Sequence, residues 1–382
     1  MIDTVLVKDR NGKQEEILSG LDYSTFQLDQ ELNTTWQISF TVYKLADSLL
    51  AFNLVQNKAL VKWHGQWFRI EQATMDATDT VPTKQVTAVH IWFGVSAIRP
   101  NITPTTTDDT ATPPSYSATK LMQLAFNGNT FGYSWEIKGK DDTTQISSMG
   151  RQSALDILNN YIISQMGWVV TADNFHIIVQ SLDSFRHETG KVINYFGNTH
   201  NVNIQWDTTS LVNACRIYGK NNIYLGEYVN QDSINQYGKW YGDDVTSDTA
   251  TSKNQLVGAA GKEVDASAIP TSTMTTAYEG NVDDYKLGDM ITLNVPPLDF
   301  SQELMCSQIS ATPYTGDPIT ITWTTGTVNK AGVKSLLQMQ NQMSLQLKEV
   351  SKYHNRTIVG FTTVDGGESV VNYEPAATTS NT

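Results

Sequence analysis

Cysteine, positive charge and long hydrophobic runs are all scarce in this chain of 382 residues. Its two cysteines, Cys215 and Cys306, are too few for a disulfide framework, and we expect both to be buried small apolar residues. No stretch approaches the ~18 apolar residues of a membrane-spanning helix. The first residues, MIDTVLVKDRNGKQ, lack the basic and apolar segments of a signal peptide. Neither a disulfide-stapled domain nor a helical membrane protein is expected.

The charge balance is acidic. Lys and Arg number 26 against 39 Asp and Glu, which gives a formal net charge of −13. A protein that grips nucleic acid needs Lys and Arg to neutralise phosphates, so this balance argues against that class. A negative wall repels phosphates instead, which suits a channel that DNA passes through without specific binding.

The residues that carry chemistry form none of the spacings that catalysis or metal binding requires. There is no HExxH, GxSxG, phosphate-binding loop or Cys-x-x-Cys. Paired acids such as Asp243-Asp244 lack the oxygen spacing of a calcium loop. We therefore predict no catalytic residue, no cofactor and no metal, while a pair of glycosidase carboxylates, which is set by distance in space, stays open. The six histidines are scattered: His64, His90, His176, His187, His200 and His354.

Strand patterns dominate what is present. Charged residues make up only 17%, and the 16 Tyr and 9 Trp also favour sheets. The stretch WQISFTV, residues 36–42, alternates apolar and polar side chains. ALVKWHGQWFRIEQ predicts a hairpin that turns at His64-Gly65-Gln66, and residues 84–93 predict another strand. Residues 1–98 therefore predict a small antiparallel β-barrel or sandwich.

A helix-on-sheet module follows a linker. Residues 99–116, RPNITPTTTDDTATPPSY, are dominated by Pro, Thr and Asp and predict a linker. Ser117 and Ser153 each precede a run with apolar residues on one helical face, which predicts two capped helices. WVVTADNFHIIVQ then predicts a hairpin. We expect residues 117–196 to form a mixed α+β module.

Strands return over residues 197–330, with a helical segment inserted among them. Residues 221–266 predict an irregular excursion followed by a helix. In TSLVNACRIYGK the apolar residues do not keep to one face, which predicts a strand covered on both sides. Since neighbours along a strand point to opposite faces, Arg216 is poorly placed to activate Cys215 as a nucleophile. This stretch is interpreted as structural.

The last predicted element is a helix at 331–352, before a linker or tail at 353–382. A single polar Gln in a helix seam could fix its register. The apolar pattern spans fewer than three heptads, so an amphipathic helix lying on its own domain is an equal alternative to a trimer seam. The candidate trimer contacts fall at a and d positions: Val333, Leu336, Gln340, Met343, Leu347 and Val350.

The order of these pieces resembles one known family. An N-terminal strand with W-x-I-x-F-x-V precedes the aromatic hairpin GQWFRIEQ; SALDILNNYIISQMGWVVTADNFHIIV, NVNIQWDTTSLVNACRIYGK and YKLGDMITLNV follow. Over residues 1–350 this order resembles the N-terminal structural region of prophage tail endopeptidases, or tail-associated lysins. These are the distal tail hub proteins of phages of Gram-positive bacteria.

The patterns and the resemblance together imply a mainly β fold with α+β insertions. The resemblance implies two hub-type antiparallel β-barrels, the first at residues 1–98 and completed by later segments, the second at residues 197–330 with a helical insertion. The mixed module and a C-terminal helix complete the expected fold. The resemblance implies similarity to the central hub protein of contractile tails, in which three chains with two barrels each form a pseudo-sixfold ring. Such a homotrimer joins the sixfold tail tube and distal tail protein to a threefold tip with its receptor-binding proteins. The implied location is the distal end of a virion tail, assembled in the host cytoplasm, and a long flexible tail is preferred.

Two other functions stay open. The many Tyr and Trp rings could form sugar-stacking platforms of a receptor- or saccharide-binding tail protein, although the same rings fill small barrel cores. An independent enzyme is the third hypothesis, and it predicts loss of turnover when one acid or Cys215 is changed. Longer members of the family carry a peptidase or glycan-degrading module after the hub, and we recognise none before Thr382.

Overall fold

The computed structural model describes the following residues: 4–77, 81–103, 105–106, 113–146, 148–265, 267–268 and 270–325. The chain divides into two units, Met1–Gln340 and Asn341–Thr382, and every described residue lies in the first. The helix predicted at 331–352 and the tail predicted at 353–382 therefore lie outside the described residues. The same holds for the six candidate seam positions, Val333, Leu336, Gln340, Met343, Leu347 and Val350.

The first hundred residues fold as strands around one short helix. The predicted hairpin consists of β5 (Leu60–Trp63) and β6 (Gln66–Asp76). Gln66, predicted in the turn, pairs with Trp63 instead, so the turn consists of His64 and Gly65, whose φ angles are 48° and 76°. Two positive φ angles give a turn whose twist matches that of the strands. The elements are β1 (Leu6–Lys8), β2 (Glu15–Ile17), β3 (Leu21–Glu31), β4 (Thr35–Tyr43), α1 (Leu49–Leu54), β5 (Leu60–Trp63), β6 (Gln66–Asp76), β7 (Thr83–His90) and a 3₁₀ helix (Ile91–Ala97).

A mixed α+β module comes next. Ser117 and Ser153 cap its two main helices, as predicted, and Ser153 forms a full capping box with Asp156. The second helix continues as a π-helix over Leu158–Ile163. The elements are β8 (Thr105–Thr106), β9 (Ser115–Ser117), α2 (Ala118–Ala125), β10 (Ser134–Lys138), β11 (Thr143–Gln145), β12 (Ser148–Met149), α3 (Ala154–Ile157), β13 (Val169–Asp173), β14 (His176–Gln180) and α4 (Leu182–Phe185).

The remaining described residues are again mostly strands. Short 3₁₀ turns join some of them, at Lys220–Asn222, Lys253–Gln255, Val282–Asp284 and Pro296–Leu298. The elements are β15 (His187–Asn194), β16 (Thr199–Asp207), β17 (Ala214–Gly219), β18 (Ile223–Val229), α5 (Gln231–Tyr237), β19 (Val245–Thr246), α6 (Val257–Asp265), β20 (Thr271–Tyr278), β21 (Asp289–Val295), β22 (Phe300–Ala311) and β23 (Ile319–Thr324).

One curled sheet of thirteen strands runs through both predicted barrels. Its main path is β16-β20-β23-β22-β3-β4-β7-β6-β5-β1-β2, and β21 pairs with β22 and β15 beside that path. β22 makes the connection, because residues 300–305 pair with β21 while residues 308–311 pair with residues 28–31 of β3. We call strands β1–β7 the first sheet half, and β15, β16 and β20–β23 the second sheet half. The mainly β fold with α+β insertions is confirmed, whereas the exact domain limits stay a prediction.

Each part has a core of its own. Phe26, Phe40 and Phe68 are fully buried in the first sheet half, where the alternation of WQISFTV places Phe40. Trp323 is fully buried in the second sheet half and meets Tyr285 edge to face at 5.4 Å. A third core fills the module. The three parts are bodies with a core each, a small apolar cluster packs where they meet, and only the two sheet halves share the thirteen-stranded sheet.

Residues 208–265, which we call the insertion, differ from the sequence-based expectation. The stretch that was predicted to begin with an irregular excursion contains β18, α5 and β19, and β17 pairs with β18 and β19 in a separate three-stranded sheet. Helix α6 covers one face of this sheet and leaves Arg216 exposed on the other. The prediction that β17 is covered on both sides is therefore wrong. Its mixed apolar pattern arose because Ala214 and Cys215 are consecutive buried residues at the strand's start.

Candidate assembly site

The described residues hold no group of three or more His, Cys, Asp and Glu side chains that could bind a metal ion. Nor does that part of the chain contain a helix of the length and apolar character needed to cross a membrane. The histidines on the surface make single acid contacts instead: His64 to Asp283 at 3.4 Å, and His176 to Glu136 at 3.7 Å. Surfaces that could bind other chains are the remaining candidates for a functional site.

Both cysteines are buried structural residues. Cys215 packs with Ile217 and Val264 beneath α6, and Cys306 lies in the core of the second sheet half. Neither forms a disulfide. Burial raises the pKa of the Cys306 thiol far above its usual range, which removes the reactive thiolate. Arg216 lies on the opposite face of β17 from Cys215, as predicted.

We expect Cys215→Ser to lower the free energy of unfolding by about 1–2 kcal/mol, because a hydroxyl replaces a thiol in an apolar site. Assembly should be unchanged. Urea unfolding and solution mass of the purified variant measure both effects. Loss of function in a variant with wild-type stability would contradict the structural role of this residue.

Three strands at the limits of the main sheet are paired on one side only within the described residues: β2, β15 and β16. β16 has nine residues and pairs with β20 along its inner side. At a rise of about 3.4 Å per residue, its open side offers roughly 30 Å of backbone hydrogen-bonding groups. An open edge of this length is a template for pairing with another chain.

Large apolar side chains are exposed along the same strands. Trp206 on β16 is 63% exposed, Val192 on β15 is 47% exposed, and Ile17 on β2 is 58% exposed. Phe196, in the turn between β15 and β16, is 68% exposed. Open backbone edges and exposed apolar side chains thus coincide at both limits of the sheet, which is the combination expected of a protein–protein interface.

Buried polar contacts join the module to the first sheet half. Asn33, in the β3–β4 turn, is 3% exposed and has a φ of 63°. Its Nδ2 donates to the Trp168 carbonyl at 3.1 Å, and its Oδ1 accepts from the Val170 amide at 2.9 Å. The sequence analysis gave Asn33 no role. An Asn between two strand patterns is a signal for a left-handed turn, but its partners lie more than 130 positions away.

A second contact joins the hairpin turns of the two parts. Gln66 Oε1 accepts from the Asn174 amide at 2.9 Å, and Gln66 Nε2 donates to Asp173 Oδ1 at 3.0 Å. In return, Asn174 Oδ1 accepts from the Trp67 amide at 2.8 Å. Reciprocal side-chain to backbone bonds of this kind fix the orientation of the module on the sheet.

His90 completes this joint at the end of β7. Its ring is fully buried and stacks on Trp36, with ring centroids 3.8 Å apart and planes 2° from parallel. Nδ1 accepts from the Trp92 amide at 3.3 Å, so Nε2 is the nitrogen that donates to Gln66 Oε1 at 3.0 Å. Burial lowers the pKa of His90 to about 3, and the ring is therefore neutral. His90 is therefore a structural residue whose two ring nitrogens both have hydrogen-bond partners.

A cleft of about 650 Å³ remains where the two sheet halves and the module meet. The hydroxyl of Thr34, which lines it, is buried and has no hydrogen-bond partner. The His64–Asp283 pair lies among the lining residues and joins the two sheet halves. We regard the cleft as part of the joint between the three bodies. Other lining residues are Trp36, Trp63, Trp92, Val170, Tyr285 and Lys286.

The insertion presents a different surface. Opposite α6, Arg216 faces Glu227 and Tyr218 faces Tyr224 across the β17–β18 pair. Tyr241 Oη donates to Glu227 Oε1 at 2.6 Å, and Lys239 forms an ion pair with Glu227. We call this surface the tyrosine face; it consists of Arg216, Tyr218, Tyr224, Glu227, Lys239 and Tyr241.

Three solved tail proteins have a similar architecture. Prophage tail protein gp18 from Listeria monocytogenes EGD-e has a TM-score of 0.64 at 22% identity, over 90% of this chain and 99% of that one. The 43 kDa tail protein of prophage MuSo2 from Shewanella oneidensis has a TM-score of 0.60 at 8% identity, over 84% and 98% of the two chains. A tail protein from Neisseria meningitidis MC58 has a TM-score of 0.59 at 8% identity, over 87% and 100%.

The sequence itself identifies the family. Residues 5–90 match the prophage endopeptidase tail N-terminal domain, and residues 187–328 match the prophage endopeptidase tail model. Together these segments cover more than half of the chain, and the chain belongs to the prophage endopeptidase tail family. The resemblance drawn from the order of motifs is confirmed. None of the curated proteins compared with the sequence matches it.

Proposed function

We propose that this tail protein is the structural hub of a phage tail tip. Three copies would form a ring that joins the sixfold tail tube and distal tail protein to a threefold tip. The two sheet halves of each chain would supply six similar surfaces from three copies, which resolves the symmetry mismatch without six chains. The proposed position is the distal end of the tail of the assembled virion.

The observation that carries this proposal is the continuous thirteen-stranded sheet with open strands at its limits. The two family-matched segments contribute its two halves, and β22 fuses them into one body. A rigid body with an open edge at each end is suited to pair end to end with copies of itself. Three such copies close a ring when each rotates by one third of a turn.

The remaining partners follow from the ring. Tail tube and distal tail proteins would bind one side of it, and tip or receptor-binding proteins the other. The net charge of −13 favours a lumen that repels DNA phosphates and lets the genome pass without specific binding. The proposed role is structural rather than enzymatic.

The mass of the purified protein in solution tests the ring. Light scattering should give three times the 42.4 kDa of one chain, and negative-stain images should show a threefold ring with a central hole. A monomer at every concentration, and in the presence of tail tube and distal tail proteins, would overturn the proposal.

Trp206→Ala should weaken the association of the chains. Trp206 lies on the open edge β16 and is 63% exposed, so its loss leaves the fold intact and removes a large ring from the interface. We expect a rise of about tenfold or more in the dissociation constant, measured by sedimentation. Trp240→Ala is the matched control, because Trp240 is 56% exposed in the insertion. Equal mass distributions for the two variants would contradict the role of β16.

A further inference from the structure

We propose that the tyrosine face of the insertion binds a polysaccharide without net charge. The inference does not rest on the ring, since the insertion has a sheet of its own outside the thirteen strands. It concerns a second activity of the same chain, the capture of a glycan while the tail is assembled or docked.

Helix α6 covers one face of the three-stranded sheet of the insertion. Cys215 and Ile217 are fully buried under Ala260 and Val264 of α6. Tyr228 belongs to this covered side as well, since its hydroxyl donates to Asp265 Oδ2 at 2.8 Å. Within the described residues no helix or loop buries the rings on the opposite side, where Tyr224 and Tyr241 are 53% and 45% exposed.

The exposed side chains hold one another in place. Tyr218 and Tyr224 meet edge to face with ring centroids 5.6 Å apart. The Arg216 guanidinium and the Lys239 ammonium lie over the Tyr241 ring at 5.1 and 4.7 Å. Rings that are fixed before a ligand arrives lose little conformational entropy on binding.

The charges of this face are matched internally. Glu227 accepts from Lys239 and Tyr241, and these bonds lower the pKa of its carboxyl. Tyr218 and Asp244 raise the pKa of Arg216. With the nearby Asp244 counted, the face carries two cations, Arg216 and Lys239, and two carboxylates, Glu227 and Asp244, within a chain whose net charge is −13. It is therefore complementary to an uncharged ligand, and the rest of the chain repels polyanions.

The small size of the tyrosine face favours a glycan over a protein as its ligand. Specific protein–protein interfaces use about 20–30 residues on each side, far more than the six that form the tyrosine face. A short stretch of polysaccharide fits this area. Sugar rings have apolar C–H faces that stack on aromatic rings, and their hydroxyls donate to carboxylates and accept from guanidinium and phenol groups.

Binding of the full-length protein to a panel of soluble bacterial polysaccharides, neutral and phosphate-bearing, tests the inference by biolayer interferometry. We expect at least one neutral polysaccharide to bind. Tyr224→Ala should weaken that binding by about tenfold, because it removes one stacking ring. Phe131→Ala is the matched control, since Phe131 is 52% exposed in the module and should bind as the wild type does.

Three results would overturn the inference. One is the absence of binding to every neutral polysaccharide. Another is binding only to phosphate-bearing polymers that high salt abolishes, which would indicate an anion site. The third is an equal loss in Tyr224→Ala and Phe131→Ala. If the protein binds a glycan but forms no trimeric ring, only the hub proposal is contradicted. If it forms the ring but binds no glycan, only the glycan proposal is contradicted.

Discussion

Asn33→Ala is expected to destabilise the protein by about 3 kcal/mol, one of the largest effects of any single change proposed for this chain. The Trp168 carbonyl and the Val170 amide would both lose their partner in a buried joint. Alanine would also have to adopt a φ of 63°, which asparagine tolerates better. Urea unfolding followed by tryptophan fluorescence measures the loss.

A series at this position separates the two causes. Asn33→Gly loses the same hydrogen bonds but accepts the positive φ, so it should be more stable than Asn33→Ala by about 1 kcal/mol. Asn101→Ala is the matched control, because Asn101 also begins an Asn-x-Thr triplet but is exposed. A Gly variant as stable as the wild type would show that the contacts to the module contribute nothing.

Local patterns in the sequence were sufficient for most of the elements. The alternation of WQISFTV, the two-residue turn at His64-Gly65 and the serine caps at Ser117 and Ser153 all depend on neighbours within a few positions. Backbone sterics and nearby hydrogen bonds decide such features, so a single sequence shows them. The prediction of strands and capped helices succeeded for that reason.

The pairing of strands that lie far apart in the sequence could not be predicted from such local patterns. Nothing in the pattern of β22 indicates that its last four residues pair with β3, almost 280 positions earlier. The expectation of two barrels therefore missed the single sheet that joins them, although it anticipated completion of the first by later segments. Strand pairing between distant segments depends on tertiary packing, and propensity carries little information about it.

The contacts of buried polar residues were the second feature that could not be predicted from the sequence. Lys84 is the second residue of β7, yet its ammonium donates to the Phe52 and Val55 carbonyls at 2.7 Å each, at the end of α1. A lysine in a strand pattern is ordinarily read as solvent-facing. Here it satisfies carbonyls that the short helix leaves open, and its partners are set by the fold. The tyrosine face was missed for the same reason, since Lys239 and Tyr241 join Arg216 and Glu227 only in three dimensions.

Acidification should weaken the fold through His90. Its pKa is lowered to about 3 in the folded protein by burial, against an ordinary value of 6.5. Between these values the unfolded chain binds a proton that the folded chain excludes, so stability is highest above pH 6.5 and declines as the pH falls toward 3. From pH 7 to pH 5 the loss attributable to His90 is about 2 kcal/mol.

His90→Gln isolates this contribution, because glutamine can donate and accept hydrogen bonds but does not titrate. The variant should be less stable than the wild type at pH 7, since it loses the stacking on Trp36. Its free energy of unfolding should nevertheless depend on pH by about 2 kcal/mol less between pH 7 and pH 5. Urea titrations at three pH values measure both slopes. An equal pH dependence in the wild type and in His90→Gln would contradict this prediction, because it would mean that His90 takes up a proton in the folded state as well. The joint between the module and the first sheet half would then contain a charged ring between Trp36 and Gln66.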